Sequence, residues 1–253
     1  MADQPPTQKP TWQESLTQIT SLLTPAKETL VIIRNNPDAD TLAGGIGLNM
    51  ALKKIGRKSN LVCPTPIAPE SVSQIQFDPN QVLSFLPKNQ LTFTIDYKQG
   101  SFSQGKITPS SEGFGLTLLP EAGQPPIEPL RIDSAIYISQ PQAVFTVGIE
   151  NLTHLGPFYQ ENMDFFNKAT IINVDYHANN SNFGKANLID PKSTSVCEMV
   201  TLMLYDLKFV LDDEIGQMLY SGLKTKTSNF AENYFSANML EATSICLRYM
   251  KKE

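Results

Sequence analysis

The stretch ETLVIIRNNPDADTLAGG, residues 28–45, joins an apolar run to a short turn and then to a series of small residues. Residues 28–34 are rich in aliphatic and β-branched side chains, which is typical of a strand buried on both faces of a parallel sheet. Apolar side chains then recur at helical spacing, as at Leu42 and Ile46. With a second apolar run at residues 59–63, this stretch predicts a βαβ unit.

The remainder of the chain repeats this alternation of strands and helices, with one interruption. Residues 143–149 and 170–175 are apolar runs that predict core strands, and residues 152–168 between them are mostly helical in pattern. Residues 91–95 alternate apolar and polar side chains, which predicts a half-buried strand. Residues 101–129 contain two alternating segments joined by a glycine-containing turn, so we predict an inserted β-hairpin.

Helices are predicted at both ends of the chain. Residues 12–23 have an amphipathic pattern, and residues 1–11 before them are polar and proline-rich, as in a disordered arm. Three further helices begin near Ser195, Asp212 and Ser236. Ser195 and Glu198 have the spacing of a capping box. The predicted fold is a three-layer, Rossmann-like α/β domain over residues 12–253, with a mainly parallel sheet of about five strands and the inserted hairpin.

Composition restricts the classes of function. The chain has 253 residues, a net charge of -5 and 41% hydrophobic residues, which suits a globular protein with a full core. A mildly acidic chain is a poor partner for duplex nucleic acid, which favours clustered lysine and arginine. No apolar run approaches the roughly 20 residues of a membrane span, and the polar N-terminus is unlike a secretory signal. Three cysteines without zinc-binding spacing fit a reducing compartment, so we expect a cytoplasmic protein.

Polar side chains follow two of the predicted strands directly. Asp38 and Asp40 come after the first strand, and Asp175 and His177 lie at the end of the strand at residues 170–175. Ligands of open α/β sheets bind beyond the carboxyl ends of the strands, where these side chains can hold neighbouring metal ions. Two alternatives remain open at this point. Asp40 is also a suitable N-cap for the following helix, and His177 is also suited to a structural role.

These residues and their surroundings resemble the DHH phosphoesterase family. The family carries a His-x-x-x-Asp-x-Asp motif after its first strand, which corresponds to residues 34–40. Its Asp-His-His motif appears as Asp-Tyr-His at residues 175–177, followed by Asn180. An Asn-Leu pair and a serine-rich helix start before a glutamate match residues 187–198. A late Gly-Ile-x-x-Asp-Thr motif corresponds to residues 222–227. The four motifs occur in the family's order.

The resemblance implies a pair of divalent cations, manganese or magnesium, that activate a water and clamp a phosphate. Of the family's ligand positions, this sequence keeps four as candidate catalytic or metal-binding residues. These are Asp38, Asp40, Asp175 and His177. Four other positions have lost their ligands. Arg34 replaces the first histidine, Gly148 a bridging aspartate, Tyr176 the first histidine of Asp-His-His, and Lys226 the late aspartate.

The two cationic replacements change the chemistry of the site. A guanidinium and an ammonium cannot ligate a metal ion while they are charged. We therefore interpret Arg34 and Lys226 as electrostatic replacements for metal ions, which predicts that both side chains point into the acidic cluster. Asp96, at the end of the predicted strand at residues 91–95, is an alternative source of the acid missing at Gly148.

The sequence favours a degenerate DHH-family domain without two-metal hydrolysis and without a bound cofactor. Its ligand is expected to be a nucleotide or another phosphate-bearing molecule, or a protein partner, with Arg34, His177, Asn180 and Lys226 as binding residues. The alternative is an active phosphodiesterase on short oligonucleotides or cyclic dinucleotides, with one manganese or magnesium ion held by the retained residues. A subunit that pairs through the hairpin is a third class. The family's second, substrate-binding domain is expected to be absent from residues 12–253.

Overall fold

The computed structural model of the protein describes residues 10–24, 26–69, 73–97, 102–110, 113–125, 128–138 and 141–251. The chain forms two compact units, residues 1–87 with 140–253, and residues 88–139. Within the described residues the α-helices are α1 (Trp12–Leu23), α2 (Ala39–Lys54), α3 (Pro157–Glu161), α4 (Met163–Lys168), α5 (Val196–Asp206), α6 (Asp213–Lys226) and α7 (Ala237–Tyr249). Short 3₁₀ helices span Pro79–Gln81, Leu152–Leu155 and Glu232–Tyr234. The strands are β1 (Glu28–Ile33), β2 (Lys58–Val62), β3 (Val82–Leu83), β4 (Lys88–Tyr97), β5 (Phe102–Pro109), β6 (Phe114–Pro120), β7 (Pro129–Ile138), β8 (Ala143–Val147), β9 (Ile171–Asp175) and β10 (Ala186–Ile189).

The larger unit is built on one sheet, which has six strands among the described residues, in the order β10-β9-β8-β1-β2-β3. Every neighbouring pair in this sheet is parallel. β8 and β9 are buried along their whole length, and β1 is buried from Thr29 onward. Continuous apolar runs suit such strands, because helices cover both faces of a parallel sheet. The predicted α/β fold with a mainly parallel sheet is confirmed.

The smaller unit consists of antiparallel ribbons. β4 pairs with β7, and β5 pairs with β6 between them in the sequence. The strand predicted at residues 91–95 is therefore part of an antiparallel ribbon and not of the main sheet, as its alternating pattern allows. The predicted insertion at residues 101–129 covers only the inner hairpin. The compact unit is wider, at residues 88–139, because β4 and β7 extend the pairing on both sides.

Helix starts follow the capping chemistry of the sequence closely. The side chains of Ser195, Asp212 and Ser236 accept hydrogen bonds at the starts of α5, α6 and α7, as predicted. Glu198 departs from the predicted capping box, because its carboxylate accepts from the backbone nitrogen of Thr194 at 2.9 Å instead of from that of Ser195.

The N-terminal helix begins at Trp12, as predicted, but its N-cap is the last residue of the arm predicted at residues 1–11. Thr11 and Glu14 form a capping box at the start of α1, so Thr11 belongs to the folded unit. Residues 1–9 lie outside the described residues.

Helix α2 is central to the larger unit. It packs on β1 and β2 and also contacts α5 and α6. The approach to α6 is close, since a Cβ added at Gly47 would lie 2.7 Å from Cδ2 of Leu219. Gly56, at φ +81°, then ends α2 in the left-handed conformation that glycine adopts readily. None of the described helices has the length and apolar character to cross a membrane.

Candidate functional site

The carboxyl edge of the main sheet brings three of the predicted site positions side by side. In the strand register, Ile33 of β1 pairs with Val147 of β8, and Val147 pairs with Val174 of β9. The residues that come next are Arg34, Gly148 and Asp175. Parallel strands end at the same edge of a sheet, so these three positions are neighbours there.

Asp38 lies at the centre of a cluster with Arg34 and Lys226, which we call the charge cluster. Lys226 Nζ donates to Asp38 Oδ2 at 3.0 Å, and an Arg34 guanidinium nitrogen lies 3.6 Å from the same oxygen. The other oxygen, Oδ1, accepts from the backbone nitrogen of Thr41 at 2.9 Å and from its hydroxyl at 2.7 Å. Both cations therefore point at Asp38, and both of its oxygens are engaged.

These contacts fix the ionisation of the charge cluster. Burial alone would raise the pKa of Asp38, but the hydrogen bonds from Thr41 and the charges of Lys226 and Arg34 outweigh it and lower the pKa to about 2. Burial would likewise lower the pKa of Lys226, but its contacts with Tyr176 and Asp38 raise it above the ordinary value. At neutral pH the pair is a carboxylate and an ammonium.

Asp40 is buried and serves a different helix. It is only 1% exposed, and its carboxylate accepts from the backbone nitrogens of Val196 at 2.8 Å and Cys197 at 3.0 Å, at the start of α5. Burial raises the pKa of Asp40 to about 6, although the hydrogen bonds from the two backbone amides lower it. The expectation that Asp40 caps α2 is wrong. Asp38 has the extended backbone of an N-cap, and Asp40 already lies in the first helical turn.

Asp175 is fully buried and held by side chains on both of its oxygens. Asn180 Nδ2 donates to Oδ2 at 2.7 Å, and His177 Nδ1 lies 2.7 Å from Oδ1. Asn180 is itself fixed, because Asn173 Nδ2 donates to its Oδ1 at 2.9 Å. Thr146 continues the network by donating its hydroxyl to Asn173 Oδ1 at 3.1 Å. The network runs from β8 through β9 to the loop that follows.

Tyr176 connects this network to the charge cluster. Its ring stacks on that of His177 with 4.5 Å between centroids. Lys226 Nζ lies 5.5 Å from the Tyr176 ring centroid, within the range of a cation–π contact. The residue that replaces a metal-binding histidine in the resemblance therefore supports the lysine that replaces a metal-binding aspartate.

Gly148 occupies a position that a side chain would strain. Its φ is +67°, and an added Cβ would lie 3.1 Å from Thr41 Cγ2. Asp96, the alternative source of the missing acid, lies on β4 of the smaller unit, where it pairs in register with Arg131. No strand of the main sheet carries it.

The retained carboxylates do not fit the pair of metal ions that the resemblance implies. Asp38 faces two cationic side chains, and Asp40 faces the amides of a helix start. Each of these is a positive partner at a place where a metal would need the carboxylate lone pairs. Within the described part of the chain, no group of three or more histidine, cysteine, aspartate or glutamate side chains is arranged to hold a metal ion.

Sequence reasoning missed two members of this site. A carboxylate oxygen of Glu150 lies 3.6 Å from His177 Nε2, and the other accepts from Asn179, so Glu150 lies beside the histidine. Its signal was its place directly after the strand predicted at residues 143–149, since Asp38 was likewise singled out by its place after a predicted strand. Asn173 was detectable as a polar residue inside an apolar strand run, where a buried amide needs partners.

Comparison with known proteins gives one family. The model of the DHH family, N-terminal domain, matches residues 28–223, which is most of the chain. The matched region includes β1 with Asp38 and Asp40, β9 with Asp175 and His177, and α6 as far as Leu223.

One curated relative is the bifunctional oligoribonuclease and PAP phosphatase NrnA of Thermus thermophilus. It is 24% identical over 214 residues, which cover 85% of this chain and 48% of the relative. Among solved structures, an exopolyphosphatase-related protein from Bacteroides fragilis aligns with a TM-score of 0.64 at 13% identity, covering 94% of this chain and 57% of that one. A putative family II inorganic pyrophosphatase from Methanococcus jannaschii aligns with a TM-score of 0.50 at 12% identity, covering 87% and 56%. The chain spans about half the length of these proteins.

Removing the ammonium from the charge cluster tests its electrostatics. In Lys226→Met, we expect the pKa of Asp38 to rise toward its ordinary value of 3.8, because the nearest cation is lost. In the wild type, the lowered pKa of Asp38 contributes stability that is present above pH 3.8 and is lost as the pH falls toward 2. At pH 7 the free energy of unfolding of the variant should be about 1 kcal/mol lower than that of the wild type. Between pH 3.8 and 2 the stability of the variant should depend less on pH. Carboxyl NMR titration and urea unfolding measure both effects.

Lys224→Met is the matched control, because Lys224 is exposed on the same helix two residues earlier. The control should leave the pKa of Asp38 unchanged. Equal pKa values of Asp38 in the two variants would contradict the assigned ion pair.

Restoring a side chain at Gly148 should be costly. Gly148→Ala combines a positive φ with contact against Thr41, whereas Gly56→Ala meets nothing within 4 Å at φ +81°. The backbone strain, of the order of 1–3 kcal/mol, is common to both positions. The contact with Thr41 adds to it at Gly148, so Gly148→Ala should lower the free energy of unfolding by more than Gly56→Ala does. Urea denaturation of both variants measures the difference. A cost at Gly148 no greater than at Gly56 would mean that Thr41 does not crowd this position.

Proposed function

This chain belongs to the DHH family, whose N-terminal domain it matches. We propose that it is a family member that has lost two-metal phosphoester hydrolysis and that it binds a phosphate-bearing ligand. The observation that carries the proposal is the ammonium of Lys226, 3.0 Å from Asp38 Oδ2. It occupies the lone pairs that a metal ion would need. Arg34 adds a second positive charge on the same oxygen at 3.6 Å.

The energetic argument concerns what a metal ion would have to displace. A divalent cation at Asp38 would have to expel a protonated lysine whose pKa is raised, and it would then sit beside the permanent charge of Arg34. At Asp40 it would have to break two hydrogen bonds from backbone N–H groups, which would leave these donors at the start of α5 without an acceptor. Each displacement leaves a buried or half-buried group without its partner, which is unfavourable. We infer that Asp38 and Asp40 stabilise the fold and do not bind metal ions.

The ligand site that we propose is centred on Arg34. A guanidinium has five N–H donors, and the described contacts of Arg34 use little of this capacity. Its Nε is buried without a hydrogen-bond partner, and its ion pair with Asp38 is long. A cleft of about 190 Å³ lies beside it, lined also by Asn35, Gly148 and Glu150. Arginine with free donors suits phosphate oxygens.

The charge of the cleft restricts the kind of phosphate. Glu150 lines the same cleft as Arg34 and would repel a dianionic phosphate monoester. A phosphodiester carries a single negative charge and is favoured for that reason. Of the other predicted binding residues, His177 and Lys226 are partly exposed at this edge, whereas Asn180 is buried and supports Asp175. The Thermus relative is named for oligoribonuclease and PAP phosphatase activities, so a dinucleotide is the first ligand to test.

Metal titration with a hydrolysis assay tests the catalytic part of the proposal. We expect no stoichiometric, tight manganese binding by calorimetry, and no manganese-dependent turnover of a dinucleotide or of bis-p-nitrophenyl phosphate. Stoichiometric manganese binding with turnover that Asp40→Ala abolishes would contradict the proposal. That outcome would support the alternative of an active phosphodiesterase.

Dinucleotide binding without metal tests the ligand part. We expect saturable binding by NMR, weakened about tenfold in Arg34→Gln, since a charge-assisted hydrogen bond is lost. Arg57→Gln is the matched control, because Arg57 is the other arginine whose Nε is buried without a partner in the described structure, and it does not line the cleft. Equal weakening in both variants, or no binding by the wild type, would contradict a site at Arg34.

A further inference from the structure

The inner hairpin of the smaller unit has one apolar face. In the register of β5 and β6, Ile107 lies opposite Leu116, and Gly105 lies opposite Leu118. Side chains two residues apart on a strand point to the same side, so these four positions share a face. The geometry agrees, because a Cβ added at Gly105 would lie 3.6 Å from Leu118 Cδ2 and 4.0 Å from Leu116 Cδ1. This surface, which we call the hairpin face, also includes the cross-strand pair of Pro109 and Phe114.

The hairpin face is exposed although every residue on it is apolar or glycine. Ile107 is 66% exposed and Leu116 is 44% exposed. The opposite face of the same ribbon is mostly polar, as at Lys106 and Thr117. Among the described strands, none besides β5 and β6 pairs with this ribbon. A two-stranded ribbon is only marginally stable in water, and a second layer on its apolar side stabilises it. An exposed apolar patch of this kind is typical of a protein–protein interface.

The charges of the chain favour a second copy as the partner. The net charge of -5 makes two copies repel each other over most of their surfaces. None of the six positions of the hairpin face is charged, so this repulsion is smallest where two hairpin faces meet. A partner selected by charge would find no complementary group there. Two identical faces also match in length and width, so each covers the apolar side chains of the other and leaves both polar faces in water.

We propose that the hairpin face pairs with the hairpin face of a second copy of this chain in a symmetric dimer. A two-fold interface uses the same residues on both sides, so the central pair of Ile107 and Leu116 packs on the same pair of the other copy. The four strands form a two-layer sandwich with the apolar side chains between the layers. This pairing goes beyond the ligand site proposed at Arg34, which belongs to the larger unit.

The size of the hairpin face sets the strength of the pairing. A large apolar side chain removes on the order of 100 Å² from water when it is buried, so two faces with four such side chains each would bury at most roughly 800 Å². Stable interfaces bury about 1,200–2,000 Å², and smaller ones belong to transient complexes. The dimer is therefore expected to be weak and to form reversibly as the concentration rises.

Sedimentation equilibrium of the full chain tests the pairing, at concentrations up to about 1 mM. We expect a reversible equilibrium between monomer and dimer for the wild type. Ile107→Glu should weaken dimerisation at least about tenfold, because an unpaired carboxylate would be buried in the interface. Since Ile107 is 66% exposed in the single chain, the substitution should leave the monomer folded, which circular dichroism checks.

Thr108→Glu is the matched control, because Thr108 is the next residue of β5, is exposed and points to the opposite face. It adds the same charge and should dimerise as the wild type does. Leu116→Glu places the charge on the other strand of the hairpin face and should also weaken dimerisation, which keeps the test valid if Ile107→Glu does not fold.

Three outcomes would overturn the proposal. They are a wild type that stays monomeric at about 1 mM, dimerisation of a folded Ile107→Glu or Leu116→Glu variant as strong as that of the wild type, and equal weakening by Thr108→Glu. None of these outcomes bears on dinucleotide binding at Arg34.

Discussion

The ion pair between Lys226 and Asp38 ties the end of α6 to the start of α2, across 188 residues of sequence. The neighbouring carboxylate of Asp40 ties the start of α5 to the same turn. The motif after β1 thus holds two later helices against the sheet. Glycine at position 47 lets α2 approach α6 closely enough for this arrangement. Carboxylates that would hold metal ions in the family resemblance here hold helices, and the rest of the sheet edge is arranged around that constraint.

A carboxylate that joins helices through ion pairs and hydrogen bonds needs positive partners that cannot dissociate from the protein. Lysine, arginine and the amides of a helix start meet this need, because each is covalently part of the fold. Tyr176 contributes by contacting both Lys226 and His177, so it connects the charge cluster to the Asp175 network. Arg34, whose side chain is partly exposed and whose ion pair with Asp38 is long, keeps donor capacity at this edge that suits a phosphate oxygen without a metal.

Local chemistry made much of the fold predictable from sequence. The apolar run at β1 and the helix starts at Ser195, Asp212 and Ser236 depend on residues within a turn of each other, and the structure matches them. The partners of Asp38 and Asp40 were harder to predict, because both residues fit the local pattern of an N-cap. Asp40 instead accepts hydrogen bonds from Val196 and Cys197, which are about 156 residues away in sequence, so the local pattern could not show which aspartate caps α2. Strand β4 was recognised as a strand, but its alternation gave no partner, and only the pairing with β7 assigns it to the smaller unit.

The central claim is that the positive groups at Asp38 and Asp40 exclude metal ions from this edge. The most direct measurement is a crystal structure grown in excess manganese, with anomalous scattering recorded at a wavelength where manganese contributes. The account predicts no anomalous peak within coordination distance of Asp38, Asp40 or Asp175, and Lys226 still in contact with Asp38. A manganese peak bound by these carboxylates, with Lys226 displaced from Asp38, would contradict it.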